Sequence, residues 1–139
     1  MNAHQILSDW FQEHHGKALT QNEHVFENCL FIAYEWDYGG LGSAIAYQDR
    51  NSLAHAIEML SEAKLDGMVN MLQQAVGILY DGELPFEHAA DCAEHYYSSG
   101  SVKSEAVENV GCYDSLEFHE KMYRYGVGAG ILKSTPVIE

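Results

Sequence analysis

Basic side chains are scarce in this chain. Lys and Arg number 7 in 139 residues, against 21 Asp and Glu, and the formal net charge is −14. A field of one negative sign repels nucleic acid and anionic lipid and attracts basic partners. Direct binding to nucleic acid or to a membrane surface is therefore not expected. Proline is nearly absent: Pro85 and Pro136 are the only two. With so few prolines and no Thr/Val-rich alternation, the chain favours helices over strands. The three cysteines, Cys29, Cys92 and Cys112, are odd in number and widely spaced. That pattern argues for reduced thiols in a cytoplasm, not for a disulfide framework. No apolar run is long enough to span a bilayer. The opening Met1-Asn2-Ala3-His4-Gln5 lacks the basic and apolar regions of a signal peptide.

Catalytic signatures are missing as well. No HExxH, GxSxG, Walker-type or GxGxxG sequence occurs. No Asp/Glu-x-x-His repeat of the kind used by di-iron bundles is present either. The expectation is a protein without enzymatic activity and without a cofactor.

What the chain does have is a globular interior. Its hydrophobic fraction is 47% and its aromatic fraction 12%, too apolar for a disordered acidic tail. The length fits one domain, residues 1–139. The acids must decorate a folded core, and they are unevenly spread. From Asp66 to Glu120 eleven acids stand beside one base, Lys103, which gives that stretch a formal charge of −10.

Apolar spacing predicts an all-α domain of about six or seven helices. Ile6, Leu7, Trp10 and Phe11 mark a first helix over about Ala3 to His14, ended by Gly16. Thr20 or Asn22 caps a second that runs to about Tyr38. Its stripe of Val25, Phe26, Cys29, Leu30, Ala33 and Trp36 is broad enough to suggest burial on most sides. Gly39-Gly40 breaks it, and a short helix from Leu41 to about Gln48 follows. Asp49-Arg50-Asn51-Ser52 reads as a turn before a helix from about Leu53 to Lys64 that buries Leu53, Ile57 and Leu60. Met68, Val69, Leu72, Ala75, Val76 and Leu79 place a helix over Asp66 to Tyr80, joined to the previous one by a very short connection. After the loop at Asp81-Gly82-Glu83-Leu84-Pro85, a helix to about Tyr97 is expected. A weak helix covers Ser104 to Val110. Asp114 or Ser115 caps a last one through about Tyr125, with Gly126, Gly128 and Gly130 loosening the segment beyond.

Three constellations carry chemistry. Glu83, Glu87, Asp91, Glu94, Glu105 and Glu108 form the candidate partner-binding acids. Glu87, Asp91 and Glu94 are spaced i, i+4, i+7 on one helix side, where like charges repel. Solubility alone is one use of such charge. A surface shaped for a basic partner is the other. His88, Asp91, Cys92 and His95 share a helical face and include the ligand types zinc accepts. The same face lies opposite the apolar stripe, where a solvated polar side belongs, so no metal is assigned there. The eight histidines make surface charge sensitive to pH near 6–7.

One further pattern runs through Tyr34-Glu35-Trp36-Asp37-Tyr38, the break Gly39-Gly40-Leu41, the polar turn from Tyr47 to Ser52, and Ala56-Ile57-Glu58-Met59-Leu60. The amphipathic segment Met68 to Leu79 completes it, with a fainter echo at Tyr113 to Tyr125. Over roughly Glu27 to Tyr80 the chain resembles a small acidic all-helical bacterial family typified by a dimeric DNA-mimic protein that binds a helix-turn-helix repressor. The family's usual Asn-Gly-Gly-Phe is here Tyr-Gly-Gly-Leu, and its frequent glycine after the Ala-Ile-x-x-Leu helix is here Lys64. The resemblance implies a helical fold, and it implies Gly39 and Gly40 as a structural motif.

Together these features lead us to expect a cytoplasmic interaction protein whose carboxylates stand in for phosphates at the basic site of a DNA-binding regulator or nuclease. An immunity or antitoxin-like cap on a basic toxin is the alternative, as is a metal-dependent helical enzyme using His88, Asp91 and His95. The tyrosines Tyr96, Tyr97, Tyr113, Tyr123 and Tyr125 fit either the core or the face of a homodimer.

Overall fold

In the computed structural model, residues 2–80, 94, 96–97 and 100–133 are described, and every regular element among them is a helix. Asn2 opens α1 (Ala3–His14) by accepting a hydrogen bond from the Gln5 amide at 2.9 Å. Thr20 opens α2 (Gln21–Gly39) with a full capping box: its hydroxyl accepts from the Glu23 amide, and the Glu23 carboxylate accepts from the Thr20 amide. Each group satisfies a donor that helix geometry leaves over. Five more helices follow: α3 (Leu41–Ala46), α4 (Arg50–Glu62), α5 (Asp66–Tyr80), α6 (Ser101–Glu108) and α7 (Ser115–Gly128).

The longest helix is also the centre. α2 buries Phe26, Cys29, Leu30, Ile32, Ala33 and Trp36 around most of its circumference and packs against α1, α3 and α4. α1 lies on α7, α4 on α5, and α3 and α6 both pack on α5 and on each other. Trp10 meets the edge of Phe26 with ring centroids 5.1 Å apart. Phe26, Leu30 and Leu72 are fully out of water, and such burial contributes about 1.5–3 kcal/mol per side chain. Cys29 donates its thiol to the Ala56 carbonyl across the α2–α4 contact, and burial pushes its pKa up. This thiol is a core group, as its place in the apolar stripe implies.

Tyr113, in the loop before α7, ties that loop to α2. Its hydroxyl hydrogen-bonds the Ala33 carbonyl at 3.2 Å and the Asp37 carboxylate at 2.8 Å. Burial first, then Asp37, raises its pKa.

Four local expectations need adjustment. Arg50, Asn51 and Ser52 are the first turn of α4 instead of a turn before it, because Asp49 is the cap and accepts from the Ser52 amide at 2.8 Å. Ile57 is only half-buried, while Ala56 and Met59 reach the core. α6 starts at Ser101, three residues earlier than its weak pattern suggests. Gly126 and Gly128 belong to α7, and only Gly130 turns to positive φ (+78°). Gly126 is buried where a Cβ would come within 2.7 Å of Leu132 and 2.9 Å of Phe26. It serves close packing, not looseness. The expected loop at 81–85 lies outside the described residues, as does most of the helix expected to follow it.

Candidate functional site

α3 is the unusual element from which the site is built. It has six residues, every one of them buried. It begins at Gly40, whose φ of +91° lets the chain leave α2 and turn straight into a new helix. Glycine populates that region at little cost, but it brings no side chain to cap the helix. The cap comes from far away in sequence. Both oxygens of Glu108, at the end of α6, accept from the first α3 amides: Oε2 from Leu41 at 3.3 Å and Oε1 from Gly42 at 3.1 Å. A Cβ at Gly40 would sit 2.6 Å from Glu108 Oε2. Gly40 is thus required twice, by its backbone angle and by the carboxylate beside it. Gly39 remains within α2, where a Cβ would press on Ser43 Oγ at 2.8 Å.

Around α3 lies a face rich in tyrosine and carboxylate. Ser43 donates its hydroxyl to Glu35 of α2 at 2.8 Å. Tyr47, which ends α3, shares a hydrogen bond with Tyr97, hydroxyl to hydroxyl at 2.8 Å. The Tyr97 hydroxyl first and the Glu35 charge later raise the pKa of Tyr47. Tyr96 packs its ring against Gly42, where a Cβ would come within 2.5 Å. The two ring bodies stay in water nonetheless: Tyr97 is 65% exposed and Tyr47 44%. Tyr38, one turn after Glu35 on α2, is 91% exposed. Glu94 is exposed three residues before Tyr97.

The acids singled out from sequence divide into three groups. Glu94 and Glu105 are exposed. Glu108 is exposed too, but its carboxylate is engaged within the fold by the α3 amides. Glu83, Glu87 and Asp91 lie outside the described residues, as do His88, Cys92 and His95 of the metal constellation. Among the described residues no three ligating side chains meet to hold a metal ion. Two shallow hollows of about 340 and 280 Å³ run between α2 and α4 and share Gln21, Val25 and His55.

Many other acids also serve the fold. Asp49 and Asp114 cap helices, Asp37 receives Tyr113, and Glu62 accepts from Tyr125 at 3.0 Å. Glu117 pairs with Lys121 one turn on at 3.5 Å.

Sequence reasoning missed Glu35 and the exposed roles of Tyr38, Tyr47 and Tyr97. The signal was faint: an aromatic residue on a helical stripe reads as core, and only packing reveals which rings face water. Comparison with protein-family models, with curated proteins and with solved structures returns no match.

Proposed function

We propose that this protein is a non-enzymatic, acidic interaction protein of the cytoplasm. In this reading it occupies the basic site of a nucleic-acid-binding protein, with carboxylates in place of phosphates. The observation that carries the reading is the exposed Tyr47–Tyr97 pair beside Glu35, with the exposed Glu94 three residues before Tyr97 in the chain. Tyrosine faces attract Arg and Lys through cation–π contact, and nearby carboxylates add charge-assisted hydrogen bonds. The charge balance points the same way. Were every one of the 7 bases to engage an acid, 14 of the 21 carboxylates would still lack one. A field of that sign steers basic partners and makes association fast and salt-dependent.

The test is capture on immobilised protein, followed by stepwise salt elution and competition with duplex DNA. The expected result is a nucleic-acid-binding protein released at a defined salt step and displaced by the duplex. Glu94→Lys and Glu105→Lys should each lower the salt needed for release. Binding that ignores salt, or a partner that holds on in the presence of DNA, overturns the reading.

A further inference from the structure

Of the nine tyrosines in the chain, Tyr38, Tyr47 and Tyr97 are exposed, and the other six are buried or half-buried. Two of those three meet each other. The Tyr47 and Tyr97 hydroxyls lie 2.8 Å apart, although the residues are 50 apart in the chain. A hydrogen bond between two groups in water adds little to stability, because water satisfies each hydroxyl about as well. What it fixes is proximity: two phenols that solvent can reach are held against each other. The fold supports both sides of the pair. Tyr47 sits at the end of α3. The neighbour of Tyr97, Tyr96, sets its ring on Gly42 of α3 and meets the Tyr97 ring edge to face, centroids 5.1 Å apart. The Tyr97 hydroxyl first, and more weakly Glu35, raise the pKa of Tyr47 and keep it a neutral phenol.

Phenols held in contact share one reaction that a single phenol lacks. Loss of one electron and the hydroxyl proton leaves a phenoxyl radical, whose spin is spread onto the ring carbons ortho to the oxygen. Two such radicals combine through those carbons. We propose that Tyr47 and Tyr97 form an oxidative cross-linking site, joined as one dityrosine by hydrogen peroxide acting through a haem peroxidase. Each phenol gives up one electron and one proton. One C–C bond then forms between the two ortho carbons. The hydrogen on each of those carbons moves to its own ring's oxygen and restores the phenol. The two electrons and two protons reduce one peroxide to two waters.

The exposure of both rings admits the oxidant, and their contact makes coupling within one molecule far more probable than coupling between two. Charge works in the same direction. Copies that each carry −14 repel one another, which disfavours a link between molecules through Tyr38, the most exposed ring at 91%. The new bond ties Tyr97 to the end of α3 across the 50 residues between them. Such a link restricts the unfolded chain as a disulfide does.

The test oxidises dilute protein with a haem peroxidase and limiting hydrogen peroxide, after alkylation of the exposed Cys112 thiol. Proteolysis and fragmentation mass spectrometry of the monomer then locate the link on the unaltered sequence. The peptides that hold Tyr47 and Tyr97 should be joined through those two rings, lighter by two hydrogen atoms. Tyr47→Phe and Tyr97→Phe should each cut the dityrosine fluorescence of the monomer about tenfold or more. Tyr38→Phe should leave it unchanged. The cross-linked monomer should melt several degrees above the untreated one. A link at Tyr96 in place of Tyr97, dityrosine found mainly in dimers, no dityrosine at all, full yield in either of the first two variants, or an unchanged Tm would each overturn the proposal.

Discussion

Lys64 takes φ = +68°, the only non-glycine residue among those described to do so. It occupies the residue just past the α4 C-cap in a Schellman motif. The Leu65 amide bonds the Leu60 carbonyl at 3.0 Å, and the Lys64 amide bonds that of Ser61 at 3.0 Å. α7 ends in the same motif with Gly130 in the equivalent place: the Ile131 amide bonds Gly126, and the Gly130 amide bonds Val127. A side chain in the left-handed region costs energy that glycine avoids. Lys64→Gly should therefore stabilise the protein by about 0.5–1 kcal/mol, offset in part by the greater freedom of glycine in the unfolded chain. Urea denaturation reads the gain as a raised midpoint. Leu60 and Leu65, both buried, supply the hydrophobic contact that keeps the motif closed in spite of the lysine.

His119 gives a second prediction at this scale. Burial, then the nearby His4, lowers its folded pKa below the ordinary 6.5. The unfolded chain thus binds the proton more readily, and protonation favours unfolding. The stability tied to this ring is complete above about pH 6.5 and is lost as pH falls through that value toward the lowered one. Thermal melts should show Tm falling from pH 7 to pH 5, with a shallower slope in His119→Gln.

Among the elements, α3 shows how local and distant information combine. Caps that lie next to their helices are partly legible from sequence: Thr20 and Asp114 are each one of two candidates there, whereas Asp49 reads as the start of a turn and emerges as a cap only in the structure. Asn2 joins them once α1 is placed. Gly40 has no side chain to cap α3, and the substitute, Glu108, is 66 residues from the Gly42 amide it accepts from. No spacing rule connects those positions. Glu108→Ala should cost about 1 kcal/mol, the usual value of a lost cap. Glu105→Ala, one turn earlier and exposed, should stay within about 0.5 kcal/mol. Denaturant midpoints for the two variants test the contrast. Equal effects would mean that the carboxylate contact adds nothing. The same comparison separates an acid that builds the fold from one free to meet a partner, a distinction that two glutamates on one short helix do not reveal in sequence.

For the molecule as a whole, an excess of 14 negative charges is held on one small folded body. Compaction brings like charges together, and their repulsion opposes folding. Added salt screens that repulsion, since the screening length falls from about 30 Å at 0.01 M to about 10 Å at 0.1 M. Tm should therefore rise by several degrees between those two concentrations of NaCl, while binding to a basic partner weakens over the same range. A calorimetric scan at each concentration checks the first. An unchanged or falling Tm would mean that specific ion pairs outweigh the net field. Opposite responses of stability and affinity to one variable are what the proposed partner reading expects of charge held at some expense to the fold.

The sequence by itself determined the class of this protein. Helical periodicity set α1, α2 and α5 within a residue or two, because a buried stripe at 3.6 residues per turn is written directly in the order of apolar side chains. It also determined the sign and size of the charge, which is a sum and needs no geometry. Tertiary structure alone decided what each charge does. Glu108 became a cap, Asp37 a partner for Tyr113, and Glu35 a neighbour of Tyr47, because side chains far apart in sequence were packed against one another. It decided too that Tyr113 is buried while Tyr38 and Tyr97 face water, and that Tyr47 and Tyr97 meet hydroxyl to hydroxyl. Periodicity reports which side of a helix is apolar, but the neighbour that covers it is set by how the helices pack.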